Sequence, residues 1–221
     1  DPTGFEKWWA EHLDRAVDIF RVAKALPMHT ISVLRGTRNA YRREQIAGGG
    51  YADVFDGYRI SVVGGSLELT QLFGEVIASE NTAVGYSEVT LGAVPGLCGV
   101  VSTTLRAGRY NAERVIESGG SIDVGLALKI GMVDQVVPEH AIKRAIYDRI
   151  ASGEKPQHRI PDYMLRREHI DIRQRPFPLA QSALERIPEM MGGIASALET
   201  GDLERALKVN RDVCYELGLL P

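Results

Sequence analysis

A chain of 221 residues is long enough to bury one substantial core, and no Ser/Pro/Gly-rich linker or long charge run splits it into equal parts. With 29 acidic and 26 basic residues the formal charge is −3, which excludes a global electrostatic case for nucleic acid or an anionic membrane as the main partner. Cys98 and Cys214 have no metal-type spacing and are too few for a disulfide scaffold of this size, so a reducing cytoplasm is the expected location. The opening DPTGFEKWWAEH is acidic and amphipathic rather than basic and then apolar, and no apolar run approaches bilayer length, so neither secretion nor membrane insertion is expected.

Thr3 followed by Glu6 has capping-box spacing, and Phe5, Trp8, Trp9, Leu13, Val17 and Phe20 recur on one helical face, which predicts a helix ending near Leu26-Pro27. HTISVLRG alternates Ile31 and Val33 with polar residues and predicts a short strand. TRNAYRREQIAGGGYADVFDG has three successive glycines and no clear period, and reads as a loop or mobile insertion. Then RISVV reads as a strand, GGSLELTQLF as a turn into a short helix, EVIASE as a second strand and AVGYSEVTLGAVPG as a strand-turn segment. Helical patterns alternate with glycines from Asn111 to Ile130, and MVDQVVP is a β-like run stopped by Pro138. From Glu139 the tail is mostly helical, broken at Pro156, Pro161, Pro176, Pro178 and Pro188, with a last helix from about Asp202 to Leu217. This alternation implies a mixed α/β core over residues 1–140 and a helical region over 141–221.

The stretch VGGSLELTQLFGEVIASENTAVGYSEVTLG places a Gly pair before an apolar, helix-like segment, Glu68 one turn in, and Glu88 in a Gly-flanked turn. Packing accounts for the apolar residues but not for two carboxylates in segments that otherwise read as buried. Each has a structural alternative: Gly64-Gly65 as a tight strand-to-helix turn, Glu68 as a first-turn residue answering the helix dipole, Glu88 as a solvated turn residue.

GGSLEL, IASENTAVGYSEVTLGAVPG and ALKIGMVDQVVP, in that order and spacing, resemble the enoyl-CoA hydratase (crotonase) superfamily over roughly Tyr58 to Pro138. The resemblance implies an α/β fold with a crotonase-like ββα spiral core and a C-terminal helical trimerisation region, in an assembly of three or six chains. It places Gly65 on an oxyanion-hole glycine whose N–H points at the thioester oxygen, and Glu68 and Glu88 on the two positions that act as base and acid. Gly64, Gly92, Pro95 and Gly96 fall on the wall of the substrate pocket. The implied activity is hydration or dehydration of an enoyl-CoA, with coenzyme A carried by the substrate and no separate cofactor. Isomerisation, decarboxylation or thioester hydrolysis through the same enolate, or a silent subunit that binds acyl-CoA or a partner chain, are the alternatives. The chemistry fits these residue types: enolate-like charge grows on the thioester oxygen, donors aimed at it lower the barrier, and two glutamates in different environments can serve as base and acid.

Other motifs carry less. VVGGSLE lacks dinucleotide glycine spacing, GGSLE is not a nucleophile turn, and His12, His29, His140, His158 and His169 have no metal-ligand pattern. Lys155, Arg159, Arg166, Arg167, Arg173 and Arg175 are candidates for CoA phosphates or a solvated face. The family's first oxyanion donor precedes the Gly turn by several dozen residues. It is expected either before Asp1 or, displaced, in AGGGYAD from Ala47 to Asp53.

Overall fold

The computed structural model describes residues 2–35, 41–46, 50–55, 60–153 and 178–218. Helix α1 spans Pro2–Ala25 and buries Leu13, Ala16, Val17 and Phe20, a stripe at three- and four-residue spacing. Phe5 and Trp8, expected on that face, are 49% and 56% exposed. At about 100° per residue Trp8 is turned roughly 140° away from Leu13, whereas Trp9 stays beside the stripe. Thr3 lies inside the helix rather than capping it, because the helix already starts at Pro2, whose fixed φ suits a first turn.

Strand β1 (Ile31–Leu34) buries Ser32 and Leu34 and leaves Ile31 and Val33 half-buried, the opposite parity to the one expected. The Ser32 hydroxyl is accommodated by donating to Thr70 O at 3.2 Å. Within the segment read as a loop, β2 (Tyr41–Ile46) pairs antiparallel with β3 (Gly50–Phe55) from Tyr41↔Phe55 to Ile46↔Gly50. The signal was hidden because YRREQI and GYADVF show no clean two-residue alternation.

The rest forms two three-stranded sheets. β4 (Ile60–Val63) leads into α2 (Gly65–Gln71), followed by β5 (Glu75–Ser79) and β6 (Thr82–Gly85). A 3₁₀ turn at Glu88–Leu91 precedes α3 (Gly99–Glu117), which starts twelve residues earlier than its period suggested and is kinked at Gly108. Then come β7 (Ser121–Asp123), α4 (Val124–Lys129), β8 (Gln135–Val137) and α5 (Ile142–Ser152). β1, β5 and β8 form one parallel sheet; β6 pairs parallel with β4 and antiparallel with β7 in the other. Asp123 caps α4 by accepting from Leu126 N–H at 2.9 Å.

The buried face of α3 packs on α2 and on α6 (Gln181–Glu199), and α7 (Leu203–Gly218) packs on α6, α3 and α1. Pro188 lies within α6 instead of ending it, and Ile187, Met190, Met191 and Ile194 around it are fully buried. Tertiary packing of this kind can hold a helix through a proline. Two carboxylates, buried Glu75 and exposed Asp134, tie β5 to its surroundings. Glu75 lies between His29 Nε2 at 3.2 Å and Arg149 Nε at 2.8 Å. Asp134 accepts from Val76 N–H at 2.7 Å and pairs with Arg106 of α3.

Gly85 shows how little space the second sheet leaves. A Cβ there would lie 1.9 Å from Gly120 O and 2.7 Å from Ser121 Cα, both backbone atoms that cannot rotate away. Gly85→Ala is therefore expected to destabilise the fold by about 3 kcal/mol, at the severe end of overpacking. Chemical denaturation would check this through a lowered midpoint; an unchanged midpoint would mean that β6 and β7 can separate at no cost.

Candidate active site

The site is built where β4 turns into α2. Gly64 has φ 63° and ψ −142°, a conformation that glycine alone adopts readily, and its N–H donates to Gly85 O at 3.1 Å, closing the turn onto β6. Gly64 O then accepts from Leu67 N–H at 2.8 Å and Glu68 N–H at 3.0 Å. The N–H groups of Gly65 and Ser66 belong to the first turn of α2, where the helix itself supplies no acceptor. Gly64 is buried, while Gly65 is half-buried and Ser66 exposed, so this end of the helix opens outward.

Both glutamates singled out in the sequence come to this turn. Glu88 opens the 3₁₀ turn after β6, and its Oε1 lies 3.1 Å from where a Cβ on Gly64 would be. Glu68 points inward from α2 and is 2% exposed. Its Oε2 accepts from Leu97 N–H at 2.7 Å and Gly99 N–H at 2.8 Å, at the N-terminus of α3. Glu68 thus does answer a helix dipole, but that of α3 rather than its own. Burial, and then the Glu88 charge, push its carboxyl up to about 8, against the lowering effect of the backbone donors at Gly99, Leu97 and Gly96.

Several residues the sequence did not single out complete the arrangement. Gly99 is required because a Cβ there would lie 2.5 Å from Glu68 Cγ and 2.6 Å from Oε2. Cys98, between the two donors, has φ 65°, which turns the Leu97 and Gly99 N–H groups toward one oxygen. Burial pushes its thiol up to about 12. Tyr86 is fully buried and its hydroxyl bonds Thr103 Oγ1 on α3. The glycine that follows Cys98 in GLCGVV was a turn signal that could have pointed to Gly99.

Pro95 is buried, and its carbonyl accepts from Asn210 Nδ2 at 3.1 Å; Gly96 packs toward Leu13 and Trp9. Gly92 ends the 3₁₀ turn at φ 77°. Of the proposed displaced donor segment, residues 47–49 lie outside the described residues, and 50–53 are strand rather than loop. The basic residues at 155, 159, 166, 167, 173 and 175 also lie outside them, as do His158 and His169. Among the described residues no His/Cys/Asp/Glu group is arranged to hold a metal ion, and no helix is long and apolar enough to cross a membrane. His12 stacks on Trp8 and Trp9, and an open cleft of about 760 Å³ between α1 and α7 is lined by mutually paired charges such as Arg21–Glu204 and Arg211–Asp14.

A mixed α/β core with this turn and a C-terminal helical region is the crotonase fold. It superposes on a Streptomyces avermitilis structure described as that of "a putative enoyl-CoA hydratase" with TM-score 0.56 and 18% identity, covering 92% of this chain and 55% of that one. Residues 58–160 match the Enoyl-CoA hydratase/isomerase family, which shows the crotonase resemblance for that part of the chain. A Rhizobium meliloti protein named "Probable enoyl-CoA hydratase" is 34% identical over 97 residues, 42% of this chain and 38% of that one. The 2,3-dehydroadipyl-CoA hydratase of Escherichia coli is 36% identical over 76 residues, 34% of this chain and 30% of that one. The matched segments thus span well under half the length of these two relatives.

The raised Glu68 carboxyl has a consequence for stability. A carboxyl titrating near 8 in the folded chain and near 4.5 unfolded favours the folded state fully below about 4.5, and that contribution is lost as pH rises through about 8. Glu68→Gln, which stays neutral, should be the less pH-sensitive protein. The stability of the unchanged chain relative to this variant is expected to fall by a few kcal/mol, in order of magnitude, between pH 5 and pH 8.5. Parallel melting curves of the two at both pH values would contradict the assignment.

Proposed function

We propose that this protein acts on acyl-CoA thioesters through an enolate-like intermediate, hydrating or dehydrating an enoyl-CoA. The observation that carries this reading is the convergence of Glu68 and Glu88 on the open N-terminal turn of α2. In the proposed mechanism the thioester oxygen is bound at Gly65 N–H, where the first-turn donor and the helix dipole meet the growing negative charge. Glu68, once ionised, takes a proton from water, and the resulting hydroxide equivalent adds to the β-carbon. Glu88, which holds the proton of the pair when Glu68 is ionised, delivers it to the α-carbon, collapsing the enolate to the 3-hydroxyacyl thioester. Dehydration is the reverse, with the two carboxyl groups exchanging roles. Gly64, Pro95 and Gly96 line the approach.

The names of the two relatives supply the substrate class, and both describe hydratases of CoA thioesters. Coenzyme A then arrives as part of the substrate, and no further cofactor is needed for addition of water. Two buried free thiols accord with a cytoplasmic location, and the family resemblance is what supports a homotrimer or homohexamer. The test is spectrophotometric, with crotonyl-CoA and an aromatic enoyl-CoA, following loss of the conjugated thioester. Loss of that absorbance with appearance of the 3-hydroxyacyl product supports the reading. Double-bond migration or free CoA would instead show one of the sister reactions, and saturable thioester binding without turnover would make the chain a silent subunit.

A further inference from the structure

The geometry points to Asn210 of α7 as a positioning residue that holds the loop feeding two backbone donors to Glu68. Asn210 is 1% exposed and lies 115 residues from the loop it holds. Its Nδ2 donates to Pro95 O at 3.1 Å and to Cys214 Sγ at 3.0 Å, and the Cys214 thiol in turn approaches the same Pro95 oxygen at 3.5 Å. Cys214 is fixed one step further out, because Trp9 Nε1 of α1 donates to its carbonyl at 3.2 Å. The same Trp9 and Leu13 bound Gly96 on its open side. Two residues beyond Pro95, Leu97 N–H reaches Glu68 Oε2, and Gly99 N–H follows.

This connection is specific to one carbonyl. Pro95 cannot donate a main-chain hydrogen bond, so its carbonyl is the handle by which a neighbour can fix the peptide leading into Gly96. With that carbonyl fixed, Leu97 and Gly99 can converge on a single oxygen, and the left-handed Cys98 between them leaves little freedom for any other arrangement. If the Pro95 contact is lost, the glycine at 96 lets the loop relax, and Glu68 loses charge-assisted donors that favour its ionised form. The groups whose charges or burial bear on Glu68 are Glu88 from the 3₁₀ turn, Tyr86 at the end of β6, Cys98 at the start of α3 and Cys214 on α7. Of these only Cys214 touches Asn210, and burial holds its thiol well above its ordinary value and so uncharged; a change in Glu68 titration on that substitution therefore reports the loop. The positioning claim stands on the structure; its effect on turnover rests on the function proposed above.

The test is a carboxyl-carbon NMR titration of Glu68 in the full chain and in Asn210→Leu, which keeps the bulk and removes the donor. Asn111→Leu, at an equally buried amide that donates within α3 to Ala107 O, serves as the control for general destabilisation. The Glu68 midpoint is expected to rise by about one pH unit in Asn210→Leu and to stay in place in Asn111→Leu. Amide exchange at Leu97 and Gly99 is expected to accelerate at least about tenfold, an effect that local opening produces without global unfolding. An unmoved midpoint in folded Asn210→Leu, or an equal shift in both variants, overturns the proposal. If Asn210→Leu does not fold, Asn210→Ser is read by the same exchange measurement, and unchanged protection at Leu97 and Gly99 overturns it equally. A moved midpoint in a protein that turns over no enoyl-CoA would leave the positioning role standing and remove the hydratase reading.

Discussion

Glu68→Gln and Glu88→Gln are each expected to lower kcat for enoyl-CoA hydration by about 10²–10⁴-fold, the range that one positioned general acid or base contributes. That corresponds to about 3–5 kcal/mol of barrier. The two side chains enter the site differently, so their signatures should differ. Glu68 is buried, held by Leu97 and Gly99 N–H, with its carboxyl pushed up to about 8. The working pair holds a single proton, on Glu88 while Glu68 is ionised, and loses it as pH rises through about 8, so kcat/KM should fall through that range, and this limb should be absent from the residual activity of Glu68→Gln. Thioester affinity should change little in either variant, because the carboxylates act on the transition state rather than on the bound ground state. Steady-state kinetics across pH 6–9 would check this. Full turnover in both variants would eliminate the two-carboxylate mechanism, and loss in Glu88→Gln alone would indicate single-base chemistry of the isomerase type.

Gly65→Pro carries the second large effect. Gly65 is the first residue of α2, where proline's fixed φ is suited to the helix and its missing N–H breaks no intrahelical bond. A Cβ at this position would stand 3.3 Å from Leu97 Cδ1, a contact that a slight shift of a leucine end can relieve. The substitution should therefore leave the fold in place, as circular dichroism would register, while removing the proposed donor to the thioester oxygen. Loss of one such donor lowers kcat by about 10²–10³-fold. A folded Gly65→Pro protein with unchanged turnover would reduce Gly65 to a turn residue.

What the sequence determined by itself was local. The strand-turn-helix around Gly64 and Gly65, the strands β5, β6 and β8, and the last helix were all legible, because Gly punctuation and apolar runs act over a few residues. Ordered motifs over about a third of the chain also carried the crotonase resemblance, which the fold and the family match support. Where burial depends on a distant partner, local pattern misled. Phe5 and Trp8 look like core but face outward, Ser32 looks exposed but is buried against Thr70 O, and Pro188 looks like a break but sits in a packed helix. The paired strands β2 and β3 carry no clean two-residue alternation to announce them.

Only the tertiary structure decided what surrounds the two glutamates. Glu68 and Glu88 are twenty residues apart in sequence, yet the Gly64–Gly85 hydrogen bond brings their segments to one turn. The donors that hold Glu68 come from residues 97 and 99, and the side chain that holds their loop comes from residue 210. A backbone N–H leaves no mark in a sequence, since every non-proline residue has one; its direction is set by chain geometry, and here by a left-handed Cys98. The elevated Glu68 carboxyl follows from burial and from Glu88 across the turn, two properties that exist only once the chain has folded.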